Sequence, residues 1–274
     1  MTFLKIAASI GMAASTACVP LLAQLHDNTD KQLSCSNNGS DRDRARHCEI
    51  REMSLPSIGR LSVDASPNGG VTVKGWLRGD VLVRARVEAS GENPGAAANL
   101  VSRVQVDASG GQVRATGPES RNESSWSVGY EIFVPQISDV TLKTINGGLT
   151  VSDVRGQIHF DTINGGVNVK RVIGEVSGAT INGGINVELA DLMPSGRPME
   201  LTTHNGGVSI SMPSRASARI QAETGMGRIH SDFPMPPSTV ENSRRMDFSV
   251  GGGGPLIHIK TENGGIQVKR SETM

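Results

Sequence analysis

The chain has 274 residues, with 27 Lys and Arg against 27 Asp and Glu for a net charge of +0, and its only aromatics are five Phe, two Trp and one Tyr. A balanced charge offers nucleic acid no basic face to grip, and so few rings exclude a base-stacking platform. At 20% charged and 36% hydrophobic, the composition is that of a folded chain with a core, not of a disordered one.

Residues 1–23 carry one basic residue, Lys5, and then a run from Ile6 to Ala23 whose polar members are small hydroxyl residues. This pattern predicts a secretory signal peptide, and Gly11 and Pro20 make the run a poor membrane-spanning helix. Ser15-Thr16-Ala17-Cys18 resembles a lipoprotein processing site except at Ser15, where Leu is usual, so lipid attachment at Cys18 is the lesser alternative. No later segment is apolar enough to span a bilayer, and the mature chain is expected in the periplasm or at the cell surface. Residues 24–48 form a polar segment. In an oxidising compartment its Cys35 and Cys48 are expected to form a disulfide in preference to a metal site.

Residues 49–135 read as degenerate β coils with one short helix. Val63-Asp64-Ala65-Ser66-Pro67-Asn68-Gly69-Gly70-Val71-Thr72-Val73 and Val106-Asp107-Ala108-Ser109-Gly110-Gly111-Gln112-Val113 share a Val-Asp-Ala-Ser lead into a glycine corner. Asp80 to Glu88 and Ser127 to Pro135 are expected strands, and Gly95 to Val101 a helix that closes an end of the fold.

Residues 136–274 carry an internal repeat. Thr144-Ile145-Asn146-Gly147-Gly148-Leu149-Thr150-Val151 returns 18 residues later from Thr162 through Asn164, and again from Thr180 through Asn182. Further copies begin at Thr203 (with Asn205), at Thr224 in a degraded form with Met226 and Arg228 in place of Asn and the second Gly, and at Thr261 (with Asn263). After each glycine pair the order is apolar, polar, apolar in all copies but the degraded one, the signature of a strand with one buried face. Thr and Asn are accordingly expected to face inward, and the variable residue between them outward. Pro234 to Pro237 and Gly251 to Gly254 mark a loop insertion.

An Asn-Gly-Gly corner suits a meander of hairpins, because Asn and Gly tolerate positive φ. Constant spacing of near-identical units favours a β-solenoid, with like side chains stacked about 4.8 Å apart. The expected fold is therefore all-β, a right-handed parallel β-helix of stacked coils. Its structural ladder is Thr144, Asn146, Thr162, Asn164, Thr180, Asn182, Thr203, Asn205, Thr261 and Asn263, with Asn amides bonded up and down the stack.

These Thr-x-Asn-Gly-Gly-Val-x-Val units, the export signal and the Phe248-Ser249-Val250-Gly251-Gly252-Gly253-Gly254-Pro255 stretch resemble the adhesin-type β-strand-repeat domain of unknown function found in bacterial envelope proteins, over residues 49 to 270. The resemblance implies a right-handed parallel β-helix and carries over no catalytic residues.

No residue pattern points to a cofactor, a metal or a catalytic set. His159, His204, His230 and His258 fall at outward positions of different coils, and the glycine pairs lead into strands instead of the helices that phosphate loops require. Asp161, Glu223 and Lys260 share one outward column, and His204 and Glu262 another, which leaves a carbohydrate-active β-helix enzyme as the alternative. Ile145, Ile163 and Ile181 form an outward apolar column that either contacts a partner or is covered by the N-terminal strands or the short helix. The expected function is a non-catalytic envelope structural or adhesion-type interaction protein, with an envelope protein, a glycan or a second copy as partner.

Overall fold

A computed structural model of the chain describes residues 27–35, 44–57, 59–120, 124–192, 197–234 and 244–271. The signal segment, Cys18 and residues 235–243 of the expected loop lie outside the described residues. The N-terminal half holds β1 (Ala45–Pro56), β2 (Arg60–Asp64), β3 (Val71–Trp76), β4 (Asp80–Gly91), the helix α1 (Pro94–Arg103), β5 (Gln105–Ser109), β6 (Gln112–Thr116) and β7 (Ser125–Pro135). There follow β8 (Asp139–Asn146), β9 (Leu149–Ser152), β10 (Arg155–Asn164), β11 (Val167–Asn182), β12 (Ile185–Asp191), β13 (Met199–Asn205), β14 (Val208–Pro213), β15 (Ala218–Met226), β16 (Ile229–Ser231), β17 (Arg245–Val250), β18 (Leu256–Asn263) and β19 (Ile266–Ser271).

Each Asn-Gly-Gly corner joins one strand of a first row to one strand of a second. In the first row β6, β2, β8, β10, the end of β11, β13, β18 and β15 pair in parallel; in the second row β7, β3, β9, the start of β11, β12, β14, β19 and β16 do the same. Equivalent residues sit in register, so that Thr144, Thr162, Thr180, Thr203, Thr261 and Thr224 follow one another across the row. Register is fixed because one face of every strand is buried, and a slip of one residue would turn its apolar set to solvent.

The structure departs from the sequence expectation in three ways. First, the sheet is mixed, not parallel throughout: β4 pairs antiparallel with both β1 and β7, β5 with β6, and β17 with β15. These strands lie on the outermost layers, where they cover edges that would otherwise invite another chain. Secondly, the Val106 to Val113 stretch is a hairpin. Gly110 and Gly111 take φ of 56° and 74°, the positive pair that a two-residue hairpin turn demands. Thirdly, the copies do not stack in chain order. The last copy, β18–β19, lies between the fourth copy and the degraded fifth, which is thereby moved to the end. Within the insertion, residues 245–250 form β17.

The main apolar core runs through both halves of the chain, from Leu61 to Val268, and Trp76, Leu82 and Phe133 form a second, small cluster. Neighbouring layers interlock by size: Phe160 faces Gly178 in the next strand, and a side chain at Gly178 would run into the Phe160 ring. Helix α1 begins at Asn93, whose side chain accepts the Ala96 N–H at 2.9 Å, and buries Ala97, Leu100 and Val101. It packs on β1 and β4, where Arg51 donates to the carbonyls of Val101 and Val104 at its C-terminus.

Candidate interaction surface

At each corner three residue types cooperate. The Thr is buried and its hydroxyl donates to the carbonyl of the first corner glycine one layer away: Thr144 to Gly69 at 2.8 Å, Thr180 to Gly165 at 3.1 Å, Thr203 to Gly183 at 2.8 Å, Thr261 to Gly206 at 2.7 Å and Thr224 to Gly264 at 2.8 Å. Thr162 makes the longest such contact, 3.5 Å to Gly147. That first glycine is required by close approach, since a methyl group on Gly147, Gly165, Gly183, Gly206, Gly264 or Gly227 would overlap the backbone carbonyl of the layer it stacks on. The second glycine has room: a methyl on Gly166 meets nothing nearer than 3.7 Å. The degraded copy keeps Gly227 at the first position and tolerates Arg228 at the second.

The Asn side chains are exposed at the corner or, for Asn263, half-buried, which corrects the inward placement. They form one directional chain of amides. Asn146 donates to Asn68 at 2.9 Å, Asn164 to Asn146 at 2.9 Å, Asn182 to Asn164 at 2.8 Å, Asn205 to Asn182 at 2.8 Å and Asn263 to Asn205 at 2.8 Å. Met226 stacks beyond Asn263 and stands 67% exposed at the end of the stack.

One residue from the ladder, Ile145 is half-buried while Ile163 and Ile181 are 38% and 47% exposed, so three adjacent layers present an apolar strip. The next two layers put His204 and Glu262 there, 3.7 Å apart and exposed. In the neighbouring column Asp161 and Glu223 are separated by Ala179, Thr202 and Lys260, four strand steps or roughly 19 Å, well beyond the reach of a glycosidase carboxylate pair. Glu223 is held below its ordinary pKa by Arg245 at 3.0 Å, and Asp247 beside it by Arg219 at 2.8 Å and Gln221 at 3.0 Å, so neither carboxyl is tuned to hold a proton for acid catalysis.

A second surface gave no signal in the strand patterns. Residues 27–35 cross the outer face of β3, β7, β4 and β1 as an extended strap, ending at the Cys35–Cys48 disulfide, where the Cα atoms are 5.8 Å apart. Beneath it Glu131 is 2% exposed and accepts hydrogen bonds from Lys74 Nζ at 2.9 Å, from Arg84, and from the strap N–H groups of Gln32 and Leu33 at 2.9 and 3.0 Å. Lys74 and Arg84 also donate to strap carbonyls, Asp30 at 3.0 Å and Leu33 at 3.1 Å, and Arg84 reaches Glu52 at 2.8 Å. At the strap's start Asn28 donates to the Gly75 carbonyl and to Asp153, which is fully buried and holds Arg171 in a bidentate pair. Burial raises the Glu131 carboxyl, but Lys74, the two strap amides and Arg84 outweigh it and hold its pKa below the ordinary value. On their strands Lys74, Arg84 and Glu131 read as solvated outward charges; only the cysteine pair signals that the segment before Cys35 must return to β1.

The Toastrack DUF4097 family model matches residues 61–269, most of the chain. The chain belongs to this family. Toastrack DUF4097 is a domain of unknown function, so membership brings no activity with it. Among solved structures the chain is similar to a "putative cell adhesion protein" from Clostridium sporogenes (13% identity over 82% of this chain and 100% of that one, TM-score 0.41) and a "putative adhesin" from Bacteroides fragilis (8%, 82% and 97%, TM-score 0.42). It is also similar to a "putative lipid binding protein" from Parabacteroides distasonis (11%, 82% and 95%, TM-score 0.30). No curated protein matches the sequence.

Proposed function

We propose that this Toastrack protein is an exported, non-catalytic interaction module of the cell envelope, which docks a protein partner against its Ile145, Ile163 and Ile181 strip. The observation that carries the reading is that strip: two large aliphatic side chains more than a third exposed, held in register on a rigid stack beside an amide ladder. The disulfide supports export, because such bonds persist in oxidising compartments, and residues 1–23 supply the signal. The coils wind right-handed in this reading, the hand that parallel crossovers favour.

Ile163→Lys places a charge in the centre of the strip. Purified protein carrying it should lose binding to envelope fractions of the source bacterium and keep its melting temperature. A melting temperature that falls steeply would make the column part of the core and end the proposal. The mass of the mature N-terminus in fractionated cells tests export and lipid attachment together.

A further inference from the structure

We propose that Asn263 is a site of spontaneous deamidation, and that hydrolysis of the ladder amides starts there and passes inward. Every rung of the ladder is an Asn-Gly pair, from Asn68-Gly69 through Asn146-Gly147, Asn164-Gly165, Asn182-Gly183 and Asn205-Gly206 to Asn263-Gly264. In such a pair the backbone nitrogen of the glycine, with no Cβ beside it to hinder approach, attacks the Asn Cγ. The new N–Cγ bond closes a succinimide as the Cγ–Nδ2 bond breaks and ammonia leaves. Water then opens the ring at either carbonyl and gives Asp or its β-linked isomer, with no oxidation or reduction.

The stack blocks this attack twice. Each glycine N–H is tied to the carbonyl of the next layer: Gly69 to Asn146 at 3.0 Å, Gly147 to Asn164 at 3.1 Å, Gly165 to Asn182 at 3.1 Å, Gly183 to Asn205 at 2.9 Å and Gly206 to Asn263 at 3.1 Å. The side chain is tied as well, since Asn146, Asn164, Asn182 and Asn205 each donate to one neighbour and accept from the other. Both restraints weaken at Asn263. Its Nδ2 donates to Asn205, but Met226, next along the column, has no amide to donate to its Oδ1. The Gly264 N–H donates to the Met226 carbonyl at 3.0 Å, on the end layer. Among the described residues the cover over that layer reaches Thr224, through its N–H to the Arg244 carbonyl, and stops short of Met226, which is 67% exposed. A layer held from one side opens more readily than an interior one, and each opening frees the Gly264 nitrogen. The Asn68 end is guarded, because the Gly69 N–H donates inward. Once position 263 carries a carboxylate it has no proton to donate to Asn205, and the β-linked isomer lengthens the main chain and displaces the carbonyl that holds the Gly206 N–H. Asn205-Gly206 is thereby the next pair released.

The test holds the folded full-length protein at mildly alkaline pH in water labelled with heavy oxygen, which marks every newly made carboxyl, and follows each Asn by peptide mass spectrometry. Asn263 should convert about tenfold faster than Asn164 or Asn182, and Asn205 should follow after a lag. In urea, where no layer protects any nitrogen, the six pairs should convert at similar rates. Met226→Asn supplies the missing donor with a side chain that the same column holds in the other layers. It should slow Asn263 severalfold and make position 226, followed by Gly227 at the open end, the fastest site. Equal rates at Asn263 and Asn164 in the folded protein, a faster Asn68, or a Met226→Asn protein whose Asn263 converts as before overturns the proposal.

Discussion

At the scale of single residues, the two corner glycines look alike in sequence and differ in what they do. A methyl on Gly165 would overlap the Gly147 carbonyl oxygen, the acceptor that the stacking places above it, whereas one on Gly166 has its nearest neighbour at 3.7 Å. Gly165→Ala should therefore cost about 3 kcal/mol or more, because two backbones must part, and Gly166→Ala should change stability by less than about 1 kcal/mol. Urea unfolding of the two variants checks the contrast; equal costs would refute the close-approach explanation. The repeat and its spacing were legible in the sequence, but the reason for the glycine was not, since the hairpin logic of positive φ and the stacking logic of close approach both write Asn-Gly-Gly. A second residue is out of harmony with its surroundings. Tyr130 is 2% exposed, its hydroxyl has no hydrogen-bond partner among the described residues, and burial, with Asp64 nearby, pushes its pKa up. Tyr130→Phe removes a desolvated hydroxyl and should raise stability by about 1 kcal/mol, measured in the same unfolding assay.

At the scale of elements, the strap is held by a buried carboxylate whose contribution depends on pH. Glu131 has its carboxyl held below the ordinary 4.5, so the folded protein binds that proton less readily than the unfolded chain does. Its contribution is complete above the ordinary carboxylate pKa and is lost as pH falls through the lower folded value. Protection of the Gln32 and Leu33 amides against hydrogen exchange, corrected for the intrinsic rate, should therefore hold above the ordinary carboxylate pKa and drop as pH falls below it. Glu131→Gln should show weaker protection with this pH dependence gone; an unchanged profile would mean that other carboxylates control the strap. Elements of this kind are hard to read in advance. Period-two alternation says which face of β3, β4 and β7 is inward, and says nothing about what lies over the outer face. Only a covalent tie, Cys35 to Cys48, carried that information. The helix expected over Gly95 to Val101 spans Pro94–Arg103, where Asn93 caps it and Ala97, Leu100 and Val101 are buried.

At the scale of the whole molecule, chain order and stacking order part company, and this is what a repeat pattern cannot disclose. Identical corners fit one another in any sequence of layers, so the spacing of copies fixes the register within each contact but not which copy neighbours which. The longer steps of 23, 21 and 37 residues leave enough chain for a layer to be skipped and filled later, and the structure uses that slack by sliding β18–β19 between β13–β14 and β15–β16. The degraded copy is then intelligible, because Met226 and Arg228 occupy an end layer with a repeat unit on one side only, where the amide ladder needs no further Asn. Removing the C-terminus should accordingly act in the interior. A chain ending at Pro255 loses the layer to which β15 and β16 are joined, since among the described residues β15 pairs otherwise only with β17 and β16 pairs only with β19. In a stack that depends on nearest neighbours, those strands come free together with the deleted ones. Limited trypsin digestion of the truncated protein should cut at Arg219, Arg228, Arg244 and Arg245 and leave a resistant body that ends near Pro213, where β14 still rests on β12. Were the copies stacked in chain order, β15 and β16 would remain seated and those arginines protected, which makes the digestion pattern a direct reading of the order of the layers.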